Sequence, residues 1–159
     1  MTEKTIEIKY QEYGSMAELD PQDRELCQSA IDALSGSYAP YSNFNVGAAV
    51  RLEDGRIVIG SNQENAASPS GLCAERTAMF AANAMYPGVP MRSIAIVGSQ
   101  QGAICDGITS PCGACRQVMA EYQHIAGSDM SVLLISSTKV LKFNKVDDIL
   151  PFIFDNLDK

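Results

Sequence analysis

The chain has 159 residues, 46% of them hydrophobic, which suits one domain with a core of its own and is short for two. Nineteen acids against twelve bases give a formal charge of -7. A protein that grips polymeric nucleic acid needs the opposite balance, because Lys and Arg displace counterions from phosphates, so a small ligand of little charge fits better.

In chain order, the opening Met1-Thr2-Glu3-Lys4-Thr5-Ile6-Glu7 lacks the apolar stretch of a signal peptide. No run approaches the about 18 apolar residues of a transmembrane helix. Residues Thr5 to Tyr10 alternate Ile6, Ile8 and Tyr10 with Glu7 and Lys9, which predicts a short edge strand. Asp20-Pro21 reads as the cap and first residue of a helix, with Leu26, Ala30, Ala33 and Leu34 on its apolar stripe and Gly36 as its stop. Cys27 lies beside that stripe and reads as a small buried hydrophobe.

An aromatic loop, Tyr38 to Phe44, precedes two predicted strands, Asn45 to Leu52 and Arg56 to Gly60, joined by the hairpin signal Asp54-Gly55. A helix is expected from about Cys73 to Ala84, ended by Tyr86-Pro87-Gly88, and a strand from Ser93 to Gly98. A second helix follows Pro111, from Cys112 to about His124, and Ser131 to Ser136 reads as a buried strand. Asp147 to Leu157 reads as a last helix, interrupted at Pro151. Strands alternating with helices argue an α/β fold: a mixed sheet with helices on its faces, residues 1–159 forming one domain.

Two short runs carry chemistry: Cys73-Ala74-Glu75-Arg76 and Pro111-Cys112-Gly113-Ala114-Cys115. Five cysteines, two of them in a C-x-x-C pair, point to metal binding in a reducing compartment, the cytosol, rather than to disulfides. Both runs open helices, where unpaired N–H groups favour thiolate over thiol. Cys112 and Cys115, three apart, share one side of a first turn and can chelate one ion. Cys73 completes a three-thiolate set for Zn²⁺ with a position left for water. Glu75, two residues from Cys73, is off the ligating face and suits proton transfer to and from that water. Three thiolates overcompensate the cation's charge, and Arg76 is placed to offset this by hydrogen-bonding sulfur. A closed structural zinc site is the rival reading, but Cys27, Cys105 and His124 have no characteristic spacing to the trio. A metal-free C-x-x-C redox pair is another.

The C-A-E-R and P-C-G-A-C-R-Q runs, in this order, resemble those of zinc deaminases. The runs Tyr41-Ser42-Asn43-Phe44-Asn45-Val46-Gly47-Ala48-Ala49 and Asn62-Gln63-Glu64-Asn65 narrow the resemblance to the small, homotetrameric, three-cysteine cytidine deaminases. It covers roughly Tyr38 to Tyr122. It implies a mixed sheet of about five strands with helices on both faces, and hydrolysis of cytidine or deoxycytidine to the uridine nucleoside and ammonia. It further implies Cys73, Cys112 and Cys115 as zinc ligands and Glu75 as proton shuttle. Phe44 would stack on the pyrimidine, Asn62 and Glu64 would bond the ribose hydroxyls, and the backbone at Ala74 would read the base edge. Phe154, in the tail, would reach a neighbouring subunit's pocket; the rival reading is a helix face burying its apolar residues.

The chain departs from the family at Ser68, where relatives often carry Tyr, at Asn45, often Pro, and in residues 1–20, an extension absent from the shortest relatives. Ser68 keeps open a deaminase of another cytosine-containing molecule, such as blasticidin S. A non-catalytic zinc-stabilised module and a nucleic-acid-editing deaminase are the remaining alternatives.

Overall fold

The central strands are apolar on both faces, and each face recruits a different set of helices. In the computed structural model, which describes residues 1–155, these are β2 (Phe44–Leu52), β4 (Met91–Gln100) and β6 (Ser131–Ile135). Ala48, Val50, Ile94, Ile96, Val132 and Leu134 point to one side, against α2 (Ala74–Met85) and α3 (Gly113–Ala126). The alternate residues Ala49, Ala95, Val97, Leu133 and Ile135 meet Leu26, Cys27 and Ala30 of α1 (Pro21–Asp32) on the other. Period-two alternation thus makes a three-layer arrangement with helices on both faces.

Three flanking strands extend the sheet, β1 (Gln11–Tyr13), β3 (Ile57–Ser61) and β7 (Val140–Phe143), in the order β1-β7-β6-β4-β2-β3, with β1 and β3 at its edges. A two-residue strand, β5 (Ala103–Ile104), pairs with the end of β4. Among the described strands only β4 and β6 pair in parallel, and α3 lies in the connection between them. No helix among the described residues is long and apolar enough to cross a membrane.

Seven strands therefore stand where about five are expected. The additions, β5 and β7, are short, and β7 carries Lys142 at a half-buried position, which breaks the apolar signature. That ammonium is satisfied by an ion pair with the Asp23 carboxylate of α1. The N-terminal strand forms at Gln11–Tyr13 and not at Thr5 to Tyr10. Its partner β7 has only four residues, and Val140, Leu141 and Lys142 are taken by Tyr13, Glu12 and Gln11. Upstream residues lie past the end of that ladder, although the Tyr10 ring still stacks on Phe143 with centroids 5.2 Å apart.

The last predicted helix is also replaced. Val146–Asp148 makes one 3-10 turn, and no helix follows up to Asp155; Asn156 and Leu157 lie outside the described residues. Pro151 lacks the N–H a helix needs. Side chains of α3 take the carbonyls instead: Arg116 Nη1 donates to Ile149 O at 2.7 Å and Gln117 Nε2 to Phe154 O at 2.6 Å.

One glycine fixes the helix that matters most. A Cβ on Gly60 of β3 would stand 2.4 Å from the Ala78 backbone nitrogen, so α2 rests directly on the strand's backbone. Any larger residue there pushes away the helix that carries Cys73 and Glu75 at its start.

Candidate active site

Cys73 and Cys112 occupy the N-cap positions of α2 and α3, in extended backbone conformation. Helix caps are usually Ser, Thr, Asp or Asn, whose oxygens accept from the first-turn N–H groups. Neither cysteine makes such a bond. The two sulfurs are left for other work at the positive ends of two helices. Cys115, one turn into α3, is fully buried, Cys73 half-buried and Cys112 exposed.

The three sulfurs all lie within 4.8 Å of one another. Tetrahedral zinc with bonds of about 2.3 Å needs sulfurs roughly 3.8 Å apart, so small side-chain adjustments close the trio on an ion. It is the only such gathering of Cys, His, Asp or Glu ligand atoms among the described residues, and Cys27, Cys105 and His124 take no part in it. All five cysteines are free, so no disulfide competes.

Charge around the trio also suits a cation. Arg76 Nη2 lies 3.5 Å from Cys73 Sγ, as its position one turn along α2 allows. The Cys115 thiol donates to Cys73, and with the Arg76 guanidinium this draws the Cys73 thiol down to about 5. Cys115 is pushed up in return, because its proton is the one shared. Arg76 Nε is buried with no hydrogen-bond partner among the described residues, a donor left over beside a thiolate cluster.

Glu75 is 4% exposed, and burial raises its carboxyl above the usual carboxylate range, with the negative Cys73 adding to the effect. A buried acid at a helix start, adjacent to thiolates, holds a proton more readily than a surface glutamate. It is placed to exchange protons and not to serve as a salt-bridge partner.

Glu75 and Ala74 line a cleft of about 840 Å³, together with Cys73, Cys112, Phe44, Asn62, Glu64 and Ser68. The expected substrate contacts are thus gathered on one cavity, contributed by β2, the segment after β3, and the two helix starts. Phe44 begins β2. A Cβ on Gly98 of β4 would stand 2.8 Å from the far end of the Phe44 ring and 2.1 Å from Thr109 Oγ1, so Gly98 makes room for both.

Asn62 is more committed than its sequence position suggests. Its Oδ1 accepts from Val46 N at 2.9 Å and its Nδ2 donates to Phe44 O at 2.8 Å. One Nδ2 hydrogen remains for a ligand. Glu64 accepts through Oε1 from the Tyr41 and Ser42 amides at 2.9 and 3.0 Å, and through Oε2 from the Ser42 hydroxyl. Those donors hold its carboxyl below the usual range, the Ser42 hydroxyl foremost.

Phe154 does not line this cleft in its own chain. It is 68% exposed and borders a separate cavity with His124 and Asp129. Sequence reasoning also missed Ser42, Thr109 and Arg116. Arg116 Nε donates to Pro111 O at 2.8 Å, which, with its bond to Ile149, clamps the turn before Cys112. The basic residue after C-x-x-C is visible in the sequence, but its two carbonyl targets are not.

Residues 20–127 match the family model described as the cytidine and deoxycytidylate deaminase zinc-binding region. The chain is 39% identical over 133 residues to a cytidine deaminase of Halalkalibacterium halodurans, covering 83% of this chain and 94% of that one. It is 41% identical over 135 residues to one from Sporosarcina psychrophila, covering 84% and 92%. Its fold is similar to the crystal structure of cytidine deaminase from Burkholderia pseudomallei, with a TM-score of 0.67, 39% identity, and 82% and 97% of the two chains covered. The matched span contains Glu75 and all three clustered cysteines, and the chain therefore belongs to the cytidine and deoxycytidylate deaminase family.

Proposed function

We propose that the protein hydrolyses the amino group of cytidine and 2'-deoxycytidine, giving the uridine nucleosides and ammonia, a pyrimidine salvage reaction. The observation that carries this reading is the buried Glu75 beside three gathered cysteines on a cleft that also presents Phe44, Asn62 and Glu64. Cys73, Cys112 and Cys115 would hold zinc, which would supply a Lewis acid that makes a water easier to deprotonate. Glu75 takes a proton from the attacking water and passes it to the ring nitrogen beside the amino-bearing carbon. As the hydroxyl adds to that carbon, the raised basicity of the buried carboxylate favours the transfer. Glu75 then carries the hydroxyl proton to the amino group, which leaves as ammonia. Both water protons are accounted for, one on the ring nitrogen and one on the leaving group.

Phe44 offers a flat apolar surface to the pyrimidine. The remaining Asn62 hydrogen and the free lone pair on Glu64 Oε2 suit a sugar hydroxyl, which accepts from the first and donates to the second. The Ala74 N–H, at the start of α2, is available to an oxygen on the base edge. Arg76 balances thiolate charge. A homotetramer, with Phe154 entering a neighbour's cleft, accords with that ring's exposure and with its place outside the lining of its own chain's cleft. Five free thiols suit a cytosolic protein.

The test is ammonia release by zinc-loaded protein from cytidine, deoxycytidine, cytosine and blasticidin S. Turnover of both nucleosides is expected. Inert nucleosides alongside an active blasticidin would overturn nucleoside specificity, and one zinc per chain with no turnover anywhere would favour a structural module.

A further inference from the structure

The loop before β2 is fastened to Glu64 by two backbone amides and one side-chain hydroxyl, and the hydroxyl also reaches Phe44. Ser42 Oγ donates to Glu64 Oε2 and accepts from the Phe44 backbone nitrogen at 3.1 Å. The other backbone group of Phe44, its carbonyl, is held by Asn62 Nδ2. Both polar groups of the Phe44 backbone are therefore tied to side chains bordering the proposed sugar site. The turn between them is tight: Asn43 has a φ of 55°, in the left-handed region. Such a turn brings the Ser42 side chain back onto the amide two residues on, as short hydroxyl residues do.

We propose that Ser42 is a positioning residue that couples the sugar carboxylate, Glu64, to the base platform, Phe44. This rests on the assignment of Glu64 and Phe44 to a nucleoside. The two Oε1 contacts come from the backbone amides of Tyr41 and Ser42 and survive any side-chain change there. Among the described residues, Oε2 has only the Ser42 hydroxyl to hold it. Without that donor the carboxylate can pivot about Oε1, and the free lone pair no longer points to one place. The loss falls on ground-state and transition-state binding alike, since the sugar hydroxyls stand apart from the bonds that form and break at the amino-bearing carbon, so it appears in KM more than in kcat.

The experiment compares S42A and S42T with wild type on cytidine, each zinc-loaded and checked for an unchanged melting temperature. Removing one hydrogen bond to a charged group in a solvent-open cleft raises KM about 10-fold in S42A, with kcat within about 3-fold. S42T keeps the hydroxyl and restores KM. In an E64A background, S42A adds less than it does alone, because one of its two targets is gone. An unchanged KM in S42A, or equal losses in S42A and S42T, overturns the proposal while leaving the deaminase reading intact. If wild type leaves cytidine untouched, the deaminase reading fails, and a crystal structure of S42A decides the coupling independently of turnover. Displaced Glu64 and Phe44 side chains support it, and unmoved ones contradict it.

Discussion

Cys73 and Cys27 are the same residue type on the two faces of one sheet, and their surroundings push them in opposite directions. Cys73 stands at a helix start, with a thiol and a guanidinium donating to it, and is drawn down to about 5. Cys27 lies inside α1 among Leu19, Leu26 and Ala30, and is pushed up to about 12, first by burial and then by the Asp23 carboxylate. The acids beside them differ in the same way. Asp23 has Lys142 as a fixed counterion, whereas Glu75 is buried with no ion pair among those described. One face uses charge to close the fold, and the other gathers thiols and a buried acid that Arg76 offsets only in part, leaving the rest to a metal and a proton.

That contrast breaks most sharply if the thiolate face is dismantled. C115S is expected to lose zinc and cytidine turnover together, measured by metal analysis and ammonia release. Retained zinc with full activity would show that the trio is not the binding site. On the opposite face, K142M strands the Asp23 carboxylate in a mostly buried place and should cost about 2–4 kcal/mol of stability, read as a lower melting temperature. Turnover per folded molecule should not change, and a fall in kcat at full folding would mean that the α1 face takes part in catalysis.

The smallest effect sharpens the comparison by its absence. Iodoacetamide at pH 7 on zinc-stripped, folded protein should label Cys73, whose thiolate predominates above about 5, and leave Cys27 unlabelled, since its thiol persists to about 12. Peptide mass mapping reads both. Equal labelling would mean that helix position and burial do not separate the two thiols as described.

What the sequence shows and what it hides divide along this same line. Each half of the metal cluster is legible because its chemistry is local, C-x-x-C and C-x-E fixing their geometry within one helical turn, while the meeting of α2 and α3 that joins the halves belongs to the fold. α1 is legible from its Asp20-Pro21 start and apolar stripe, and α2 from its Ala-rich periodicity and its Pro87-Gly88 stop. The Asp23–Lys142 pair was not, because its members are 119 residues apart and meet only when β7 joins the sheet. Strand β7 itself was hidden by that inward lysine. The N-terminal strand lies at Gln11–Tyr13 and not on the alternating residues Thr5 to Tyr10, since its place is set by a partner strand that the pattern does not reveal. The tail was read as a helix on its apolar residues, while its carbonyls are claimed by Arg116 and Gln117 of α3. Ser42 belongs to a run that the family resemblance picked out, yet its link to Glu64 spans 22 residues and is visible only in the fold.

The most direct measurement is turnover of cytidine by E75Q with its zinc content in hand. The amide keeps the shape of the buried side chain and removes its proton. One zinc per chain and kcat reduced by at least about 10²–10⁴-fold is the expected result. Near-normal turnover with zinc bound would contradict the account, because protons would then be moving without the one buried carboxylate placed to carry them.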